Sequence, residues 1–389
     1  MLPSDLGDVY VSACGELTRL CPRLVPSPLW GISLANIANM SPYIADAMCS
    51  GCGDAVRRVR DWWFSLNRNG PCEVCGAPGA EIDEEWDYVV KGNEGIAVIT
   101  HLRRLCRNCH LAKHQGYAKV HGLSEAAINH LARVNGVDVS TARRIVREVF
   151  GVWHTLNGVN WVVRINNDIG LPSDLRVKVE ELMNTMLSMH CSRWDGWFHC
   201  LNTGGVCEKA LQETLQLLKD VEDYDRLIST VEERLEKAGI TVLKDELLFL
   251  INQNEVRRLL LMGRLDDDML YVPVIGGKWM VFIRRRDIYG KVFIEIINEL
   301  IRRDLHYESK TLFNPRDNEG GIPLIFYVPS FLALNVVINV ANVINEVLIR
   351  YGIRTKAYFK PELFTNKSIY RGTTGLKPYI YIANVGKGD

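Results

Sequence analysis

Two cysteine pairs stand out for their chemistry. Cys72-Glu73-Val74-Cys75 and Cys106-Arg107-Asn108-Cys109 each place two thiols across a two-residue gap. A tight turn over such a gap brings both sulfurs to one ion, and Gly76 permits that turn in the first pair. Zinc takes four tetrahedral thiolate or imidazole ligands, so two spaced pairs point to a structural Zn2+. Four buried or redox-active thiols are the alternative reading. His110 directly follows Cys109, and His114 lies one helical turn later on the same face.

The elements that must position these groups follow from pattern. Thirty residues separate Cys75 from Cys106, room for one hairpin. Val89-Val90, the turn Gly92-Asn93-Glu94-Gly95 and Ile96 to Thr100 read as that hairpin, preceded by the acidic stretch Asp83-Glu84-Glu85-Trp86-Asp87-Tyr88. A helix is expected to start near Cys109. Two more are expected over Ser124–Val134 and Ser140–Val152, with Ser124 and Ser140 as N-caps. Trp153 to Ile165 reads as a closing strand-rich segment, and Asp54 to Asn67 as an amphipathic helix.

The ending Cys-x-x-Cys-His-x-x-x-His at Cys106–His114 resembles that of the HNH endonuclease superfamily, over about fifty residues (Pro71 to Gly122). The resemblance implies a zinc treble-clef, ββα module in which histidines hold a catalytic Mg2+ or Mn2+ and a further residue activates water. Carried onto this chain, it places His110 and His114 near the metal. A weaker resemblance concerns an HNH-related family with a His-Glu-x-Trp-x-Tyr stretch between the knuckles. Here the first position is Glu84, not His, and His101 stands where the family has Asn. Glu84, Glu85 and His101 are thus the candidates for activating water, and a catalytically inactive zinc module that binds DNA or RNA is the alternative.

Charge agrees locally with a polyanionic partner. The chain as a whole is balanced, with 46 basic and 46 acidic residues. Residues 100–150 hold nine basic side chains against three acidic ones. Arg103, Arg104, Arg107 and Lys113 cluster beside the cysteines, where phosphates would approach. Arg143, Arg144 and Arg147 read as a solvated helix face.

Other cysteines carry weaker patterns. Cys49-Ser50-Gly51-Cys52 could form another knuckle with Cys14 and Cys21, giving a second zinc. Cys191, Cys200 and Cys207, near His190 and His199, read as buried thiols and core histidines because their intervals are irregular. Trp153, Trp161, Trp194 and Trp197 read as core residues. No basic start leads into an apolar run and cleavage site, so a reducing cytoplasm is expected.

The C-terminal third alternates strands and helices. Strands are expected over Lys278–Ile283, Leu324–Val328, Lys356–Phe359 and Tyr379–Ile382, with helices over Tyr289–Leu305 and Ser330–Tyr351. Ile322–Ile349 is apolar, but Asn335, Asn339, Asn342 and Asn345 recur along one helix face, which argues against a membrane span. Lys278, Lys310, Lys360, Arg371 and Lys377 sit beside Gly, Pro or aromatic residues at strand ends and loops, which suits a phosphorylated ligand or nucleotide, with surface lysines around an ordinary sheet as the alternative. The order of Gly276–Phe282, Phe359–Thr365, Ile369–Arg371 and Gly375–Tyr381 resembles the basophilic-leukaemia-expressed protein family, labelled phosphothreonine lyase-like. That resemblance implies a fold like the cap-binding initiation factor, a curved sheet backed by helices. A lyase would need a base and an acid, for which Lys310 and His306 are candidates.

The expected fold class is α+β in three parts: an HNH-like zinc domain over 1–165, a helical connector over 166–245, and a cap-binding-like domain over 246–389. With 389 residues, 47% of them apolar, the chain is long enough for two or three cores. Nucleic acid is the expected partner of the first part, and a phosphorylated small ligand or peptide that of the last.

Overall fold

A two-residue turn sets the hairpin that carries the first site. Strands β1 (Glu81–Lys91) and β2 (Glu94–Leu105) join through Gly92-Asn93, with Gly92 at φ 65°. Glycine tolerates that left-handed value at the first turn position. In this computed structural model, residues 9–78, 81–202, 204–220, 223–262, 268–316, 321–370 and 375–386 are described.

The hairpin is longer than its apolar centre suggested, because the acidic stretch is itself strand. Its charges meet cations across the ladder. Asp83 lies opposite Arg103, and the Glu85 carboxylate is 3.3 Å from the Arg103 guanidinium. The register slips between Glu85 and Trp86, which leaves Thr100 as an extra residue on β2.

The chain divides into two compact units, residues 1–193 and 194–389. In the first, helices α1 (Leu34–Asn39), α2 (Pro42–Met48) and α3 (Cys52–Ser65) precede the hairpin. Helices α4 (Arg107–Lys113), α5 (Gln115–Val120), α6 (Ser124–Asn135) and α7 (Val139–Leu156) follow it. Strand β3 (Asn160–Ile165) then lies parallel to β2, completing the sheet β1-β2-β3. Tyr88 packs edge-on to Tyr10 and Trp161, at 5.7 and 5.5 Å between ring centres. The caps differ from expectation. Asp138, not Ser140, caps α7 by accepting from Thr141 N at 2.9 Å. Ser124 is the first residue of its helix, after Leu123.

The stretch expected as a connector divides between the units. Helix α8 (Ser173–Ser188) buries Leu175, Val179, Leu182, Met183 and Met186 within the first unit and packs on β3 and α3. A short strand, β4 (Cys191–Trp194), runs through the boundary.

The second unit holds β5 (Trp197–Leu201), α9 (Val206–Lys219), α10 (Tyr224–Lys237), β6 (Ile240–Val242), α11 (Lys244–Ile251), α12 (Asn254–Met262) and α13 (Asp268–Ile275). It continues with β7 (Gly277–Ile283), α14 (Tyr289–Arg302), β8 (Glu308–Leu312), β9 (Ile322–Val328), α15 (Leu334–Arg350), β10 (Thr355–Pro361), α16 (Glu362–Asn366) and β11 (Tyr381–Val385). Its strands run in the order β5-β8-β9-β7-β10-β11-β6. Alternate side chains on one face form the core. Trp279 donates from its indole N–H to Val337 O of α15 at 3.1 Å, and Phe326 packs against Phe293 of α14, the tilted rings 5.7 Å apart. Trp279 and Phe326 are register partners, so both helices cover the same face. The fold class is α+β.

Helix α15 buries its valine and isoleucine stripe and exposes Asn335, Asn339 and Asn342. Among the described residues no helix is long and apolar enough to cross a membrane. The second-zinc expectation is corrected. Cys14–Cys21 and Cys49–Cys52 are two separate disulfides, closed locally with Cα separations of 5.7 and 5.5 Å. Trp161 is core, but Trp194 is exposed, and Trp197 lies against the Lys310 ammonium.

Candidate metal centre

The four cysteines converge at the open end of the hairpin. Glu73 N donates to Arg104 O at 2.9 Å, which pins the first knuckle to the end of β2. Gly76, at φ 73°, closes that knuckle by donating its N–H to Cys72 O. Cys106 caps α4, its sulfur accepting from Cys109 N at 3.5 Å. The four sulfurs lie within 4.8 Å of one another, and Cys75 Sγ is 3.6 Å from Cys106 Sγ. All four thiols are free, and only Cys75 is not fully buried. A tetrahedral zinc with bonds of about 2.3 Å would set the sulfurs about 3.8 Å apart, so this donor set fits the ion. These cysteines could hold a metal ion such as zinc.

Electrostatics favours a cation here. Burial opposes ionisation of Cys72, but the backbone around Cys106, Cys75 and Val74 outweighs it and brings the thiol down to about 6. Burial and then the neighbouring sulfurs push Cys109 far above the usual thiol range, and burial raises Cys75. One thiolate forms readily, and further ones need a positive charge among them.

One partner of this site lies outside the cysteine motif. His130 of α6 sits 3.1 Å from Cys109 Sγ through Nε2. Its Nδ1 accepts from the Arg133 guanidinium at 2.7 Å, so Nε2 carries the proton and donates to sulfur. Burial and the Arg133 charge hold the ring neutral, as that donation requires. An imidazole on a helix after the motif, with an arginine three residues on, is the only hint in the sequence.

The second cluster is Asp83, His110 and His114, whose ligand atoms also lie within 4.8 Å of one another. Asp83 Oδ1 is 3.0 Å from His114 Nε2 and 3.5 Å from His110 Nε2. His110 Nδ1 faces Glu81 Oε2 at 3.0 Å. The alternation along β1 puts Glu81, Asp83 and Glu85 on one side, and this period of two could have singled out Asp83. Burial would raise Asp83, but the Lys113 charge and the two imidazoles hold it well below the usual carboxylate range. The bond to Asp83 raises His110, whereas burial lowers His114.

The residues expected to activate water do not all join this cluster. Glu84 points to the other side of the strand, where its Oε1 accepts from Ala35 N at 3.1 Å. Burial, with Asp83 adding its charge, raises it to about 7, and Oε2 has no hydrogen-bond partner among the described residues. Glu85 lies 3.3 Å from both Lys113 Nζ and Arg103 Nη1. His101 is exposed opposite Glu85 in the ladder.

The expected phosphate-facing cations are mostly engaged. Lys113 is 2% exposed, bonded to the Asp83 carboxylate and donating to Glu84 O at 2.7 Å. A buried ammonium cannot meet a nucleic-acid backbone, so its expected role is corrected to internal charge balance. Arg103 pairs with Glu85, and Arg104 with Glu73 at 3.1 Å. Arg107 is exposed.

In the second unit, Lys278, Lys310 and Lys360 share the face of the sheet opposite α14 and α15. Lys377 is exposed, and Arg371 lies outside the described residues. The acid–base pair of Lys310 and His306 is not formed. His306 is buried and bonded to Ser309 Oγ at 3.0 Å, while Lys310 is on the opposite side of β8 from Ser309. Comparison with known protein families and with curated proteins finds no match to this chain.

Proposed function

We propose that the first unit is an HNH-like zinc module that binds nucleic acid and hydrolyses phosphodiester bonds with a divalent cation at Asp83, His110 and His114. The observation that carries this reading is the convergence of those three ligand atoms beside four free thiols. Zinc on the thiols would have a structural role, since it leaves no open coordination position. A Mg2+ or Mn2+ ion at Asp83, His110 and His114 would supply charge stabilisation at the scissile phosphate.

The chain's own residues prepare that site. Asp83 presents one oxygen towards the imidazoles while Lys113 occupies the other. His110 and His114 stand one turn apart at the end of α4, their rings edge to face at 4.6 Å. Glu85, on the same side of β1 as Asp83, and Glu81, 3.0 Å from His110 Nδ1, are the remaining carboxylates to take a proton from water. Glu84, aimed at Ala35, does not serve as that base in this arrangement. The alternative is a zinc module that binds without cleaving, favoured by Glu84, which stands at the expected histidine position and is turned towards Ala35.

A nicking assay on DNA and RNA with magnesium or manganese separates the two. Cleavage by the wild type, lost in Asp83→Asn protein that retains zinc, supports hydrolysis. Salt-sensitive binding without cleavage supports the binding module. Neither binding nor cleavage on either nucleic acid rejects both.

A further inference from the structure

The second unit carries lysine charge that its described residues balance only in part. Register pairs Lys360 of β10 with Lys278 of β7, and Lys278 with Tyr327 of β9. Lys310 enters from β8, two positions from the residue opposite Tyr327. Alternation puts all of them on the face away from α14 and α15. The Lys278 and Lys310 ammoniums stand 5.0 and 5.3 Å from the centre of the Tyr327 ring. Lys310 is also 5.0 Å from the Trp197 ring, and Lys360 lies 4.0 Å from that of Tyr370.

The carboxylates nearby are already committed. Glu362 is 2.7 Å from Lys278, and Glu308 is 2.7 Å from His199. Among the described residues, no carboxylate pairs with Lys310 or Lys360 and neither donates a hydrogen bond, though Lys360 is 5% exposed. Ring faces offset part of the cost of burying these charges, but they supply no hydrogen bond. Burial and the charge of Lys278 both lower Lys310 and Lys360 from the usual lysine range. A buried ammonium without a counter-charge is destabilising, and an anion placed between the lysines relieves it.

We infer that this face of the sheet is a binding site for a phosphomonoester dianion, its oxygens held by Lys278, Lys310 and Lys360 and its organic part set against the aromatic rings. Lysines suit phosphate because each is a compact point charge with three rotatable donors. Tyr327 and Trp197 offer flat apolar surface beside the charges. A free phosphate ion would use the lysines alone, whereas a phosphomonoester with an aromatic or sugar body would also contact the rings. The site is independent of the metal centre in the first unit.

The test uses the full chain, with inorganic phosphate and phenyl phosphate as probes and potassium chloride at matched ionic strength as control. Either probe is expected to raise the melting temperature of the wild type above the chloride control, because a ligand that binds only the folded state stabilises it. Tighter binding of phenyl phosphate assigns an organic phosphomonoester, and equal binding assigns the free ion. Lys310→Met and Lys360→Met are each expected to weaken binding about tenfold, the scale of one charge-assisted hydrogen bond. Neither variant should melt below the wild type in phosphate-free buffer, since each removes an unpaired charge. Lys356→Met, on the same face but exposed, should bind as the wild type does. A second readout needs no variant: phosphate should protect Lys310 and Lys360, and not Lys356, from acylation read by mass spectrometry. No effect of either probe on the wild type, or full binding retained by both methionine variants, overturns the inference.

Discussion

At the scale of single residues, the candidate metal centre includes a hydrogen bond that lies outside the motif. His130 donates to Cys109 Sγ because Arg133 already occupies its other nitrogen. Such outer partners orient metal ligands and commonly change affinity about tenfold to a hundredfold when removed. We expect His130→Ala to release zinc to a competing chelator at least tenfold more readily, with the fold retained by circular dichroism. Unchanged affinity would show that the contact is packing alone. A second residue sets a pH dependence. Burial lowers His306 to about 4, against a usual 6.5. The unfolded chain therefore binds the proton more readily, so stability is full above about pH 6.5 and falls as pH drops towards 4. The loss is on the order of 3 kcal/mol at most. Urea unfolding of wild type and His306→Gln across that window should show a flatter pH dependence in the variant.

At the scale of elements, a metal ion on the four cysteines would substitute for length. Helix α4 has seven residues, too few to hold together alone in water. Its start is set by Cys106 and Cys109, and its packing by α6. Chelation is therefore expected to loosen α4 and scatter His110 and His114, read as loss of amide protection over residues 106–114. Protection that persists without metal would place the clamp elsewhere. Close packing sets another limit: a Cβ on Gly95 would lie 2.6 Å from the Trp161 ring, between β2 and β3. Gly95→Ala should cost about 1–3 kcal/mol, the usual range for overpacking, measured by urea unfolding.

The sequence made some of these elements legible and hid others for physical reasons. The cysteine spacing, α6 and the strand β7 could be read locally, because turn geometry and apolar period are local properties. Strand β1 was underestimated because its first half is acidic, and only its partner strand supplies the compensating arginines. Glu84 and Asp83 differ by one position, and a period of two sends them to opposite sides, so the side facing α4 was decided by tertiary contact. The disulfides Cys14–Cys21 and Cys49–Cys52 reflect local closure that composition alone did not favour over metal.

At the scale of the whole molecule, two units place their polar chemistry differently. The first gathers thiols, imidazoles and carboxylates at one end of a hairpin, and its neighbouring cations are mostly neutralised. The second sets Lys278, Lys310 and Lys360 on one sheet face, where among the described residues Lys278 alone has a carboxylate partner. A balanced total charge thus conceals separate local fields, which is why net charge says little about partners here. X-ray absorption at the zinc edge, on protein purified without chelators, tests the central claim most directly. One zinc per chain bound by four sulfurs at about 2.3 Å is expected, with loss of the signal in Cys72→Ser and Cys106→Ser proteins. Metal-free protein, or zinc bound mainly by nitrogen and oxygen, would contradict the account.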